Sequence, residues 1–156
     1  MEVHSFKYHS QSVDDTLLYG KTLANALPRQ SAVALHGTLG AGKTLLVQGM
    51  ASALEIDPAT VTSPTFVICN EYIGRKTLIH ADVYRLNDTD DFLAIGGDEW
   101  FISDAITLIE WAEKIEDCLP SNTHHITISQ IDANSRVIEL STPDPSVIKS
   151  MEADLS

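Results

Sequence analysis

Eight consecutive residues, Gly37-Thr38-Leu39-Gly40-Ala41-Gly42-Lys43-Thr44, carry the most specific chemistry in the sequence. They satisfy the phosphate-loop pattern G-x-x-x-x-G-K-[ST] at every fixed position. Glycines let the backbone bend around phosphate oxygens with no side chain in the way. The amide groups and a helix N-terminus then face negative charge. Lys43 is suited to the β- and γ-phosphates, and the Thr44 hydroxyl to Mg²⁺. The pattern predicts a site for a nucleoside triphosphate.

A phosphate loop binds, but hydrolysis also requires a carboxylate near the metal and a means of placing water. Two apolar runs end in an acid: Leu78-Ile79-His80-Ala81-Asp82 and Leu108-Ile109-Glu110. In open α/β sheets the ligand lies beyond the C-terminal strand ends, so Asp82 and Glu110 are both candidates for the metal side, and either is equally suited to capping the segment after it. Thr62-Ser63-Pro64-Thr65 offers three hydroxyls of the kind that sense a γ-phosphate in switch loops, though such loops are often ordinary turns. His80 on a strand and Trp111 beside Glu110 read first as core residues and second as site residues.

These groups need a scaffold. Ala32-Val33-Ala34-Leu35 precedes the loop and predicts a buried strand. Leu46, Val47, Met50, Ala51 and Leu54 follow at helical spacing, which completes the strand–loop–helix unit. Upstream, a weak alternation over residues 3–9 predicts a short strand. Ser12 with Asp15 predicts a helix start in the manner of a capping box. Val13, Leu17, Gly20, Ala24 and Leu27 form its expected buried stripe, and Pro28 its end. Downstream, Asp57-Pro58 and Ser63-Pro64 predict a loop over residues 55–65. Strands are expected at 66–72 and 77–82 about a turn at Ile73-Gly74-Arg75-Lys76. A loop and short helix broken at Gly96-Gly97 should fill 86–102. A strand at 105–109, a helix to about Leu119 and strands at 125–131 and 137–140 complete an α/β pattern. Residues 1–140 read as one domain, and 141–156 as a polar tail or short docked helix.

Composition narrows the function. The chain has 156 residues, 44% apolar and 21% charged, ordinary values for a globular domain. No apolar run approaches the roughly 20 residues of a membrane span. The N-terminus lacks a basic stretch followed by an apolar one, and Cys69 and Cys118 show no paired spacing. A cytoplasmic protein with reduced thiols is the expectation. Acidic residues outnumber basic ones 22 to 10, for a net charge of −12. Such a chain is better suited to a protein partner than to gripping nucleic acid by itself.

Several segments occur in order: Gly37 to Thr44, Ser63-Pro64-Thr65-Phe66, Asn70-Glu71-Tyr72, His80-x-Asp82-x-Tyr84-Arg85-Leu86, Asp98-Glu99 and Leu108-Ile109-Glu110-Trp111. Together, from about Ser12 to Arg136, the chain resembles the TsaE (formerly YjeE) family, bacterial P-loop ATPases of tRNA threonylcarbamoyladenosine biosynthesis. The resemblance implies a three-layer α/β sandwich of the P-loop NTPase type, with parallel central strands flanked by antiparallel ones. It implies weak ATP hydrolysis with Mg²⁺, and TsaD and TsaB as partners. Carried onto this chain, Gly37, Thr38, Leu39, Gly40, Ala41, Gly42, Lys43, Thr44 and Leu45 cradle the phosphates. Thr44 and Glu110 are on the metal side. Asp82 and Thr65 belong to the catalytic region with Lys43, and Trp111 lies beside it. Ser12 and Arg136 reach toward the base. The chain departs from the family at Thr38, where an Asp is usual; a hydroxyl there carries no charge to act as a base. A small-metabolite kinase and a nucleotide-dependent binding module are the alternatives. A GTPase is disfavoured, because no [NT]-K-x-D motif is present.

Scattered cations and few aromatics predict weak binding of RNA by the protein alone. Labelled tRNA titrated at near-physiological salt should give a dissociation constant above about 1 μM, the tight edge of non-specific binding. A lower value would reveal a basic surface gathered by folding.

Overall fold

The computed structural model describes residues 2–38, 41–64 and 68–155. The expected roles of Leu39, Gly40 and Thr65, and the strand start at Phe66, lie outside the described residues. The sheet has seven strands: β1 (His4–Ser10), β2 (Ser31–Gly37), β3 (Cys69–Ile73), β4 (Thr77–Asp82), β5 (Ala105–Glu110), β6 (His124–Gln130) and β7 (Arg136–Thr142). Their order across the sheet is β1-β7-β6-β2-β5-β4-β3. Strands β6, β2, β5 and β4 run parallel, while β1, β7 and β3 add antiparallel edges. This is the α/β arrangement with parallel centre and antiparallel flanks.

Parallel strands covered on both faces must be apolar throughout. β5 is buried at all six positions, and β2 over Ser31 to Leu35. Alternation sends Val33, Leu35, Leu78, Ile106 and Leu108 into one core and Ala34, Ala81 and Ile109 into the other. The first core lies under α1 (Val13–Ala26), α2 (Lys43–Ala53) and α5 (Pro145–Leu155). α5 buries Val147, Ile148 and Met151 and packs on α1. The second core lies under the short helices α3 (Thr89–Ala94) and α4 (Asp98–Ile102), with Phe92 at its centre.

Two helices start by the same device. Ser12 Oγ accepts the Asp15 amide at 3.0 Å, and the Asp15 carboxylate accepts the Gln11 amide at 2.9 Å. At α3, Asp88 accepts from Asp91, and Asp91 from the Asn87 amide. The partner amide precedes the cap by one residue, whereas a Glu at the third position returns to the cap itself. Val13, expected on the buried stripe, is 56% exposed; it opens the first turn, before α1 reaches its packed contact with α2.

That contact is made by glycines. A Cβ on Gly20 would stand 2.3 Å from the Leu46 carbonyl oxygen, and one on Gly49 would stand 2.3 Å from that of Leu17. The helices meet backbone to backbone, which locks α2 and the phosphate loop ahead of it onto α1.

The segment after β5 also departs from expectation. Residues 112–118 form 3₁₀ turns with a kink at Ile115. The buried residues there, Ala112 and Ile115, are three apart and match the three-residue 3₁₀ repeat. Ala94 and Asp98 bracket the expected break at Gly96-Gly97, which separates two helices rather than a loop from one. A Cβ on Gly97 would strike the Phe92 ring at 2.3 Å.

The glycine crossing yields a stability prediction. Alanine is favoured over glycine within a helix by about 1 kcal/mol. Overpacking against backbone opposes it by about 1–3 kcal/mol. Gly20→Ala should therefore lower the urea midpoint with the slope unchanged; a raised midpoint would mean that the helices part freely.

Candidate nucleotide site

The parallel strand ends converge at one edge of the sheet. Asp82 lies opposite Glu110 on adjacent strands, and Glu110 lies opposite Leu35 on β2. β2 continues two residues to Gly37, where the loop leaves the sheet. Gly37 has φ 153° and Gly42 has φ 109°; a Cβ on Gly37 would meet the Ile128 carbonyl at 2.8 Å. At Gly42 the obstacle would be the Arg136 guanidinium, also at 2.8 Å. Gly42 caps α2 with no side-chain hydrogen bond, so the first amides of α2 are left for a ligand. Arg136 Nε donates to the Ala41 carbonyl at 2.8 Å and ties β7 to the loop.

A cavity of about 840 Å³ opens here. Gly37, Thr38, Gly42, Lys43, Thr44 and Leu45 form one wall. Asp82, Glu110 and Trp111 line the cavity as well, together with Tyr84, Arg85, Ser63 and Pro64. The structure thus brings Lys43, Thr44, Asp82, Glu110 and Trp111 together. Ala41 and Arg136 meet at the back of the loop. Ser12 is not among the lining residues, and its hydroxyl is engaged at the start of α1.

Lys43 Nζ donates to the Gly37 carbonyl at 2.9 Å and pairs with Glu110 Oε1 at 3.0 Å. Glu110 Oε2 accepts from His80 Nε2 at 2.6 Å. Burial pushes the Glu110 carboxyl up. The hydrogen bond and charge of His80, then those of Lys43, outweigh it and hold the group below the usual carboxylate range. Asp82 Oδ1 accepts the Tyr84 amide at 2.9 Å, which fixes that carboxylate against the cavity wall.

Trp111 turns the chain with φ 63°, in the left-handed region. Non-glycine residues are uncommon there, and bulky ones more so. Its ring lies 4.8 Å from that of Tyr84, and Lys114 pins Tyr84 by donating to its carbonyl at 2.8 Å. Tyr84 and Pro64 were not singled out as site residues from sequence. Tyr84 follows Asp82 by two positions, which was the available signal. The contact of His80 with Glu110 was legible only through the strand register.

The donor set suits a hard cation. Thr44 offers a hydroxyl and Glu110 a carboxylate, both on the cavity lining. Mg²⁺ favours such sparse oxygen sites, completed by water and phosphate. Among the described residues, no helix is long and apolar enough to cross a membrane.

Comparison with known proteins shows the family and the fold. The family described as "Threonylcarbamoyl adenosine biosynthesis protein TsaE" matches residues 10–138. The tRNA threonylcarbamoyladenosine biosynthesis protein TsaE of Treponema pallidum (strain Nichols) is 40% identical over 129 residues, covering 83% of this chain and 95% of its own. Its namesake in Aquifex aeolicus (strain VF5) is 36% identical over 132 residues, covering 83% and 91%. The crystal structure of Bacillus subtilis YdiB superposes with a TM-score of 0.78 at 30% identity, covering 99% of this chain and 96% of that one.

The depressed carboxyl of Glu110 makes a pH prediction. A carboxyl whose folded pKa lies below its ordinary 4.5 adds stability above that value and loses it as pH falls through the folded pKa. The stability of the wild type relative to Glu110→Gln should therefore decline as pH falls below about 4.5. Urea melts across that range measure it; a difference constant with pH would mean that the pair does not hold the proton off.

Proposed function

The chain belongs to the TsaE family of threonylcarbamoyl adenosine biosynthesis proteins, and from that premise we propose a weak Mg²⁺-dependent ATPase that acts on the TsaB–TsaD complex in tRNA modification. The carrying observation is the meeting of Lys43 and Glu110, from α2 and β5, at 3.0 Å inside the cavity. The loop amides and the α2 N-terminus bind the β- and γ-phosphates, and Lys43 turns from Glu110 toward them. The Thr44 hydroxyl and Glu110 hold Mg²⁺, which supplies charge neutralisation for the transferring phosphoryl when bound. Asp82 orients water at the cavity wall, and the family resemblance assigns Thr65 to the same catalytic region. Trp111 and Tyr84 close the rim, and Arg136 steadies the loop from behind.

Direct tRNA contact is a minor part of this reading. Arg29 is bound to Asp104, Lys7 to Glu139, and Lys76 and Lys114 to backbone carbonyls. Few cations are left to neutralise phosphates, so the protein works through its partners, in the cytoplasm where such a pathway runs.

Phosphate release from ATP, measured alone and with TsaB and TsaD, tests the reading. Release should rise when both partners are added, and Lys43→Ala should abolish it. A Lys43→Ala rate within twofold of wild type, about 0.4 kcal/mol in barrier, would sink the assignment. Glu110→Ala should lose Mg²⁺-dependent turnover while nucleotide binding largely survives. Normal turnover there, with failure only in Asp82→Ala, would move the metal-side role to Asp82.

A further inference from the structure

Glu110 is held from two sides, and the two holds differ in kind. Lys43 reaches Oε1 from the first turn of α2, on a flexible four-carbon stem. It also faces the cavity, where an incoming phosphate competes for it. His80 reaches Oε2 from within β4, and the ring is fully buried. The register explains the reach. His80 lies opposite Leu108, one alternation short of the Asp82–Glu110 pair, so both side chains stand on the same face of the sheet. The imidazole spans the two-residue interval.

The partners of His80 are unlike those of a core histidine. His124, also buried, bonds the Thr142 hydroxyl at 2.7 Å and ties β6 to β7. His80 Nδ1 has no hydrogen-bond partner among the described residues. Its polar engagement is with Glu110.

We propose that His80 is a positioning residue: by donating from Nε2 to Oε2 it keeps the Glu110 carboxylate turned so that Oε1 alone is presented to the phosphate-bound cation once Lys43 departs. The inference rests on the ATP and Mg²⁺ reading above. A ligating carboxylate free to rotate presents either oxygen, and an outer hydrogen bond removes that freedom; loss of such a partner typically weakens metal binding 10–100-fold.

A pair of amides provides the test. Glutamine carries its side-chain nitrogen near the position of imidazole Nε2. Asparagine carries it near Nδ1, a methylene short of Glu110. Each variant is saturated with a non-hydrolysable ATP analogue, and Mn²⁺ binding is followed by electron paramagnetic resonance. Analogue affinity is measured separately in EDTA. His80→Asn should weaken Mn²⁺ binding by about tenfold or more, whereas His80→Gln stays within about threefold of wild type. Metal-free analogue affinity should change in neither. Equal Mn²⁺ affinities in the two variants, or a wild-type value in His80→Asn, overturn the proposal. If His80→Asn does not fold, His80→Met, with similar bulk and no donor, takes its place with the same expected outcomes. Glu110→Gln separates the two levels of failure. If it binds Mn²⁺ as the wild type does, the metal-side reading of Glu110 falls, and this inference with it. If it alone loses the ion, that reading stands and the positioning role of His80 falls.

Discussion

The parallel register of β4 on β5, with Asp82 opposite Glu110, is the constraint on which the site depends. Side-chain direction alternates along a strand, so a slip of β4 by one residue would turn His80 and Asp82 away from Glu110 and α2. Burial on both faces prevents the slip, because Leu78 and Ala81 would have to exchange cores. The apolar residues that give the strands no catalytic interest of their own thus fix the positions of Asp82 and Glu110.

The same logic places the phosphate loop. β2 overshoots Glu110 by two residues before Gly37, and α2 must return beside the strand ends for Lys43 to reach Glu110. Its approach is set by Gly20 and Gly49, where α1 and α2 touch through backbone. From the opposite direction, Arg136 grips the Ala41 carbonyl. Helix and hairpin therefore hold the loop from two sides, without using the amides that a ligand would take.

Much of this was legible in the sequence. The loop pattern, the strands that end in acids and the glycine break at Gly96-Gly97 each announce themselves in local chemistry. What was not legible depends on neighbours. The 3₁₀ turns after Trp111 arise from a left-handed residue and a buried pair three apart, in a stretch whose composition suits an α-helix equally. The link between His80 and Glu110 joins residues 30 apart through strand order. Val13 fits the helical stripe by spacing yet lies outside the packed length of α1, which spacing cannot report.

The pairing of Lys43 with Glu110 has a thermodynamic consequence. Without ligand, the lysine is already charge-compensated, so a phosphate gains it only by taking it from a carboxylate. On the proposed reading, that exchange leaves Glu110 buried with one partner fewer, a state that favours the arrival of a cation. Nucleotide and cation are then linked ligands: each tightens the other by the same factor, as reciprocity of binding free energies requires. A bare anion offered to this pocket would break one ion pair and replace it with another, with little net gain. On the same proposed reading, selectivity for a metal-bound polyphosphate over free phosphate would be carried by the contact the site makes with itself.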